Sequence, residues 1–161
     1  MNPEAVFRAL AEEEVEFVLV GGLAATAHGA SLVTFDIDLC FRRTDDNCER
    51  LARALGRLEM EIFPPRQSPI AITPGLLQSY RLLHLRGPAG RLDLLAEIPG
   101  LGTYDDLFPG ATRIDLLGIS VPVLTLDQLI QAKSVLQQSK DRQHLDQLLQ
   151  VRRLKEGEEK K

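Results

Sequence analysis

Asp36 and Asp38 are separated by one residue inside the apolar run 35–41. If this run is a strand, both carboxylates project from one face, because residues i and i+2 of a strand share a face. Ile37 and Leu39 then lie on the opposite face, as the residues of a packed core would. Adjacent carboxylates repel each other unless a cation lies between them, and such oxygen ligands suit a hard divalent ion such as Mg²⁺. The spacing therefore predicts a metal site; the alternative, a solvated acidic edge strand, does not explain the apolar neighbours.

A Gly-Gly pair precedes the two aspartates. Gly21 and Gly22 end the short apolar run Phe17–Val20 and are followed by an Ala-rich segment. A glycine turn between a strand and a helix can bring backbone N–H groups close to a phosphate. A tight turn that needs positive φ also explains the pair, and both explanations can hold. The sequence contains no G-x-x-x-x-G-K-[ST] pattern, which excludes a Walker-type NTPase. Glycines and aspartates together predict a site for Mg²⁺ and a nucleoside triphosphate.

This arrangement resembles the nucleotidyltransferase superfamily, whose fold is shared by DNA polymerase beta and kanamycin nucleotidyltransferase. The signature of that superfamily is an apolar strand, Gly-Gly or Gly-Ser, a spacer, and Asp-x-Asp inside a second apolar strand. The closer resemblance is to small bacterial members, the minimal nucleotidyltransferases and relatives of the AbiE-type toxins, and it runs over residues 17–149. The matching residues are Gly21-Gly22, His28-Gly29, Thr34-Phe35-Asp36-Ile37-Asp38-Leu39, Lys133 and Lys140-Asp141.

The resemblance implies a third acidic residue on a later strand, and Asp93 between Leu92 and Leu94 fits. Three converging carboxylates can hold two Mg²⁺ ions roughly 4 Å apart, which is the arrangement used for in-line phosphoryl displacement. One ion would lower the pKa of an acceptor hydroxyl, and the other would bind the triphosphate and stabilise the leaving pyrophosphate. Asp93 would orient the hydroxyl or accept its proton. The resemblance also implies that Lys133 contacts the triphosphate, although a lysine on a helix is usually solvated.

Other chemically capable residues have simpler interpretations. A lone histidine such as His28, after a small-residue helix, is usually structural, and Cys40 is best explained as a small buried side chain. Asp141 either complements the dipole at a helix N-terminus or forms part of the active-site wall, and the first is favoured. Arg50, Arg53 and Arg57 share one helical face, which predicts a solvated stripe, with nucleic-acid contact as the alternative.

One departure from the family pattern affects the expected activity. Relatives often carry a basic residue just before the Thr-x-Asp-x-Asp block, whereas this chain has Ser31-Leu32-Val33 there. If that basic residue normally contacts substrate or triphosphate, this chain either has weak activity or uses a different acceptor.

Length and composition suit one soluble domain. The chain has 161 residues, of which 44% are hydrophobic and 26% are charged. The N-terminal residues lack the basic and apolar regions of a signal peptide, and the spacing of Cys40 and Cys48 suggests neither zinc nor a disulfide framework, so a cytoplasmic location is expected. A net charge of −4 argues against tight non-specific nucleic-acid binding but leaves room for a local basic groove.

The apolar periodicity predicts the elements that would position these residues. Helices are expected over residues 3–14, 23–28 and 46–58, from the Thr125 capping box to about Gln138, and from a Ser139 cap over 140–154. Strands are expected over residues 17–20, 35–41 and 61–63, with hairpins over 80–95 and 113–124; residues 67–74 read as a loop, and 98–109 as a loop or short helical turn. This order predicts an α+β fold, a mixed twisted sheet with helices packed on one side. The expected organisation is a single domain over 1–154 and a charged, frayed tail over 155–161.

The predicted function is Mg²⁺-dependent transfer of a nucleoside monophosphate from a nucleoside triphosphate to a hydroxyl, with release of pyrophosphate. RNA or protein is the favoured acceptor, and resemblance suggests a toxin–antitoxin or phage-defence component with an antitoxin or other partner subunit. Two alternatives stay open: an antibiotic-type small-molecule nucleotidyltransferase, and a catalytically weak nucleotide-binding regulatory subunit.

Overall fold

The computed structural model describes residues 1–136 and 139–161, and these form an α+β fold built on a mixed sheet. This confirms the predicted fold class. The helices are α1 Pro3–Glu12, α2 Gly21–Ala27, α3 Asp45–Arg57, α4 Pro74–Ser79, α5 Tyr104–Leu107, α6 Leu126–Val135 and α7 Ser139–Glu159. The strands are β1 Phe17–Val20, β2 Asp36–Phe41, β3 Glu61–Ile62, β4 Leu82–Gly87, β5 Gly90–Leu95, β6 Glu97–Ile98, β7 Gly102–Thr103, β8 Thr112–Leu116 and β9 Ile119–Val123.

Strands β1, β2 and β5 form the centre of the main sheet, whose order is β3-β4-β5-β2-β1-β9-β8. β2 pairs parallel with β5 and antiparallel with β1, and β1 pairs parallel with β9. Both hairpins, β4–β5 and β8–β9, form at the predicted places. Strands β6 and β7 pair separately as a short ribbon.

The core lies against the face of the sheet that carries Ile37 and Leu39. Both side chains are fully buried, as are Leu92 and Leu94 on the neighbouring β5. Helix α1 packs on this core through Phe7, whose ring stacks on Phe17 of β1 with 6.4 Å between the ring centroids. Alternation along β2 therefore points the aspartates of this strand away from the core.

Side-chain caps define where several helices begin. Asn2 caps α1 by accepting a hydrogen bond from the Ala5 N–H at 3.1 Å, and Thr44 and Thr73 cap α3 and α4 in the same way. Thr125 and Gln128 form the predicted capping box at the start of α6. None of the helices in the described part of the chain combines the length and the apolar character needed to cross a membrane.

Some element bounds differ from those predicted. α2 begins at Gly21 rather than Leu23, so both glycines are part of the helix. α4 begins at the last residue of the predicted loop 67–74 and covers residues 75–79, for which no element was predicted. α7 continues to Glu159, across the predicted boundary between domain and tail. The predicted end of α6 at Gln138 lies outside the described residues, as does the side chain of Ser139, the predicted cap of α7.

Candidate functional site

Asp38 and Asp93 lie side by side on neighbouring strands. They are paired in register across the parallel strands β2 and β5, which puts both side chains on the same face of the sheet. Val20 on β1 is the register partner of Asp38, and His84 on β4 is the register partner of Asp93. The three aspartates on this face are called the carboxylate row. Neighbouring strands lie about 4.8 Å apart, so the two carboxylates are close enough to repel each other.

Asp36 lies on the same face, one step along β2, beside Arg91. The two are register partners, and Arg91 Nε lies 3.4 Å from Asp36 Oδ1. The geometry is too poor for a hydrogen bond, so Asp36 Oδ1 is buried without a hydrogen-bond partner among the described residues. The guanidinium of Arg91 also lies over the ring of Phe63, 5.0 Å from its centroid. Thus β5 supplies a basic residue next to the aspartate pair, where residues 31–33 supply none.

The pKa of Asp38 is raised to about 6, first by burial and then by the nearby carboxylates of Asp93 and Asp36. Lys133 and a hydrogen bond from the Gly22 backbone N–H act in the opposite direction. An acid in this environment is poorly stabilised in its charged form. A cation bound next to this carboxylate would therefore stabilise its charged form at neutral pH.

The two glycines shape the space around Asp38. Gly21, the first residue of α2, has a φ of +69°, and a Cβ there would overlap the Asp38 carboxylate. A Cβ on Gly22 would lie 3.0 Å from Oγ1 of Thr34. The predicted turn with positive φ is therefore present at Gly21. The Gly22 N–H, at the positive end of α2, is directed at a carboxylate.

Gly21→Ala is expected to destabilise the protein by at least about 1–2 kcal/mol, because it forces a left-handed backbone on a residue with a Cβ and displaces Asp38. Urea unfolding followed by circular dichroism measures this. Gly56→Ala is the matched control: Gly56 lies in α3 with open space around it, so alanine should leave stability unchanged or raise it. Equal stability of Gly21→Ala and the native chain would contradict this account of the turn.

A cavity of about 400 Å³ opens over these residues. Its walls combine the glycine turn and the three aspartates with residues of α6, α7 and the segment before β2. The functional candidates that line it are Gly21, Gly22, Asp36, Asp38, Asp93 and Lys133, together with Asp141 and His144. The structure thus brings together all the residues that the sequence predicted for metal and nucleotide binding, although their roles there stay predictions.

Lys133 and Asp141 form an ion pair inside this cavity. Nζ of Lys133 on α6 lies 2.8 Å from Oδ1 of Asp141 on α7, and both side chains are largely buried. Asp141 lies in the first turn of α7, where the favoured prediction put it, and it also lines the cavity, which was the less favoured prediction. Lys133 is also near enough to Asp38 for its positive charge to lower the pKa of that carboxyl.

Several other candidates lie outside this cavity. Nε2 of His28 lies 2.7 Å from the carbonyl oxygen of Leu124, and burial lowers the pKa of the imidazole. Burial also raises the pKa of Cys40 to about 12, which makes the thiol a poor nucleophile. Both residues thus have the structural surroundings that were expected of them.

The arginine stripe on α3 is occupied by ion pairs with the end of α1 and the residues after it. Arg50 pairs with Glu16 at 3.1 Å, and Arg53 pairs with Glu13 at 2.8 Å. Arg57 pairs with Glu12 and Glu13 at 3.0 and 2.9 Å. A nucleic acid would have to displace these carboxylates, so the structure gives no support to the alternative of a nucleic-acid contact at this stripe.

Sequence reasoning missed two basic residues of the site, His84 and Arg91. Nδ1 of His84 lies 2.8 Å from Oδ1 of Asp93. Both residues alternate with buried leucines on the β4–β5 hairpin, so each could have been placed on the aspartate face. For Arg91, the missing information was the register of β5 against β2. For His84, it was the register inside the hairpin, which sets His84 opposite Asp93.

The three carboxylates are the right type of ligand for a hard cation, but they are not arranged around a common metal position. The raised pKa of Asp38 shows that its charged form is poorly stabilised in the protein. Asp36 Oδ1 lies 3.4 Å from Arg91 but accepts no hydrogen bond from the described residues, so it can still take a metal ion as a partner. In the part of the chain that the structure describes, however, no group of three or more His, Cys, Asp or Glu side chains is arranged to hold a metal ion as it stands. The residues present can therefore supply the ligands, but they do not form a preorganised metal centre.

Comparison with known structures shows where this fold occurs. TM1012 of Thermotoga maritima, to which nucleotidyltransferase activity is ascribed, aligns with a TM-score of 0.55 over 99% of this chain and 91% of its own, at 14% identity. ANT(2″)-Ia, solved with adenylyl-2″-tobramycin, aligns with a TM-score of 0.58 over 91% of this chain and 84% of its own, at 13% identity. The lincosamide antibiotic adenylyltransferase LnuA, solved with lincomycin bound, aligns with a TM-score of 0.58 over 88% of this chain and 90% of its own, at 12% identity.

No protein-family model matches the sequence, and no curated protein matches it significantly. At these identities the structural likeness establishes the fold alone. It extends over nearly the whole chain and includes the strands that carry the three aspartates. The chain therefore has the nucleotidyltransferase fold.

Proposed function

We propose that this protein is an enzyme, a Mg²⁺-dependent nucleotidyltransferase that moves a nucleoside monophosphate from a nucleoside triphosphate to a hydroxyl acceptor. The observation that carries the proposal is the register of Asp38 and Asp93 on parallel strands, next to the start of α2 and within one cavity. The fold of the structural neighbours supports the same activity.

Asp36, Asp38 and Asp93 would hold the metal. When bound, Mg²⁺ neutralises phosphate charge and lowers the pKa of an attacking hydroxyl. Asp38 must be deprotonated to act as a ligand, and its neighbours make that form costly until a cation is present. Asp93, on the neighbouring strand, orients the acceptor hydroxyl or accepts its proton.

Gly21, Gly22 and Lys133 form the nucleotide side of the site. The first turn of α2 lines the cavity, and the free N–H groups of a helix N-terminus favour an anionic phosphate. Lys133 of α6 lines the same cavity and is paired there with Asp141. A triphosphate bound in the cavity would replace the Asp141 carboxylate with a phosphate oxygen as the partner of Lys133.

The size of the cavity bears on the acceptor. A volume of about 400 Å³ lies at the lower end of the range for sites that enclose one small ligand. A nucleotide would therefore fill most of it, and the acceptor would approach from outside. At the rim, the side chains of Val33 and Phe35 are 78% and 73% exposed. An open, partly apolar approach favours a macromolecular acceptor, RNA or protein, over a deeply enclosed small molecule.

A small-molecule acceptor is the second candidate function. It is favoured by the solved complexes of ANT(2″)-Ia and LnuA, whose fold this chain shares. A catalytically weak regulatory subunit is less favoured, because all three carboxylates face the cavity and Arg91 places a basic residue beside them. A role in a toxin–antitoxin or phage-defence pair, with an antitoxin as partner, is supported by sequence resemblance alone.

The test is to incubate the protein with each α-³²P-labelled nucleoside triphosphate, Mg²⁺, and separately total RNA, total protein or a panel of small hydroxyl compounds. Label in RNA or protein that disappears with excess chelator and with Asp93→Asn supports the proposal. Label only in a small compound supports the second candidate. Binding of the nucleotide without transfer to any of the three would support the regulatory alternative instead.

Lys133→Gln is expected to weaken binding of the Mg²⁺–nucleotide complex about tenfold, or about 1.4 kcal/mol, because the ammonium no longer contacts phosphate. Isothermal titration calorimetry measures the affinity, and urea unfolding checks that loss of the Asp141 partner has not unfolded the protein. The control is Lys160→Gln, an exposed lysine beyond the end of α7. If the folded Lys133→Gln variant binds the nucleotide as tightly as the control, Lys133 does not contact the triphosphate.

A further inference from the structure

His84 contacts one oxygen of the Asp93 carboxylate, which lines the cavity. It is the direct cross-strand partner of Asp93 in the β4–β5 hairpin, with Nδ1 lying 2.8 Å from Oδ1. The imidazole is 45% exposed, whereas the carboxylate is 13% exposed. The carboxylate of Asp93 is thus largely buried, and the histidine that contacts it is partly exposed to solvent.

Asp93 lies between two groups of opposite effect. Asp38, its register partner on β2, repels it, while His84 on β4 attracts it. A carboxylate beside another carboxylate would lower its energy by turning away from it. A hydrogen bond from the imidazole fixes the rotation of the group and leaves the second oxygen, Oδ2, for other contacts. Both the imidazolium and the neutral tautomer with a proton on Nδ1 can donate this bond.

We propose that His84 is the positioning residue for Asp93: it orients the carboxylate so that Oδ2 faces the metal and the acceptor hydroxyl. This inference rests on the proposed function, in which Asp93 performs those roles. Hydrogen-bond partners of metal-binding carboxylates fix their orientation, and removing one lowers metal affinity or activity by about 10- to 100-fold.

A purely structural role would have a different signature. Cross-strand pairs of opposite charge contribute about 0.2–1 kcal/mol to stability, and exposed ion pairs lie in the same range. Removing His84 should therefore change the free energy of unfolding little. A large loss of metal binding or turnover without a loss of stability can arise only from the position of the carboxylate or from direct contact with a ligand.

The experiment compares His84→Ala, His84→Asn, Asp93→Asn and the His84→Ala/Asp93→Asn double variant. Binding of Mn²⁺, measured by electron paramagnetic resonance of the free ion, needs no acceptor. Turnover with the acceptor that the labelling experiment identifies is the second readout. His84→Ala should weaken Mn²⁺ binding or lower kcat about tenfold or more, with the free energy of unfolding unchanged. His84→Asn, whose amide nitrogen can reach the place of Nδ1, should restore most of the loss. The double variant should be no worse than Asp93→Asn alone.

Leu82→Ala is the matched control, because Leu82 lies on the same strand and face, two residues from His84. It should bind Mn²⁺ as the native chain does. The inference is overturned if His84→Ala equals this control in both readouts, if His84→Asn restores nothing, or if the double variant falls clearly below Asp93→Asn. Full activity of Asp93→Asn would instead overturn the role of Asp93 in the proposed function, so the two failures are distinguishable.

Discussion

Replacing Asp38 by asparagine is expected to abolish nucleotide transfer while making the metal-free protein more stable at neutral pH. The carboxylate is the one most enclosed by other acids, and its pKa is raised to about 6 from an ordinary 3.8. Asparagine keeps the size of the side chain and an oxygen that can accept the Gly22 N–H. It removes a charge that the folded protein stabilises poorly. Transfer should fall by roughly a thousandfold or more, about 4 kcal/mol of transition-state stabilisation.

The gain in stability follows from the same pKa. A raised pKa in the folded state means that folding is penalised when Asp38 is charged, by as much as about 3 kcal/mol at neutral pH. Urea unfolding of Asp38→Asn and of Asp146→Asn, an exposed acid on α7, should show stabilisation for the first variant only. Near-native transfer by Asp38→Asn would show that Asp38 is not a metal ligand. A lower free energy of unfolding for Asp38→Asn would show that the charge of Asp38 does not destabilise the folded protein.

Divalent cations are expected to stabilise the protein at about pH 7.5 and much less at about pH 5, because binding requires the deprotonated Asp38. In the metal-free protein, the contribution of Asp38 to stability should fall as pH rises from about 4 to about 6, which the difference between the native chain and Asp38→Asn isolates. Over this interval the folded protein still holds a proton that the unfolded chain has lost. Above about pH 6 both states are charged at this residue, and the penalty is complete. A cation then offsets it, by about 2.7 kcal/mol at a hundredfold excess over its Kd.

Thermal unfolding with and without Mg²⁺ at the two pH values measures this effect. Excess chelator should reverse the shift in Tm at the higher pH, and transfer activity should disappear with it. Asp38→Asn should lose most of the cation-dependent shift at both pH values, whereas Asp146→Asn should retain it. An equal Mg²⁺ shift at both pH values would mean that Asp38 is not the group whose deprotonation controls binding, and transfer in excess chelator would contradict the metal scheme as a whole.

The aspartate pair and its strand could be predicted because both depend on local alternation. Asp36 and Asp38 interrupt an apolar run with a period of two, and the backbone translates that period directly into faces. The N-terminal caps are equally local, and Thr125 was predicted in the same way. α4 was missed although Thr73 and Pro74 form a start signal, because Pro74 together with Pro69 indicates a loop over residues 67–74.

The partners of the aspartates could not be predicted from the same information. Asp93 was identified by resemblance, but its pairing with Asp38 depends on the register of β2 and β5, which are far apart in sequence. Its bond to His84 depends on the register inside the β4–β5 hairpin, which strand alternation alone does not give. The pairing of Lys133 with Asp141 depends in the same way on how α6 and α7 pack. The ion pairs of Arg50 and Arg53 with Glu16 and Glu13 depend on the packing of α3 against the end of α1. Sequence patterns show which face of its helix or strand a side chain lies on. They do not show which side chain of another element it contacts.

The parallel register of β2 and β5 also limits how this chain can vary over evolutionary time. Residues 64–73, in the connection between β3 and α4, can lengthen or shorten at modest entropic cost, because loop closure depends only weakly on length. A single-residue insertion inside β5 ahead of Asp93 would be a different event, since it would turn the carboxylate into the hydrophobic core and expose Leu92 or Leu94 in its place. Homologues should therefore differ freely in the length of the connection while conserving an even spacing of apolar residues around the third aspartate.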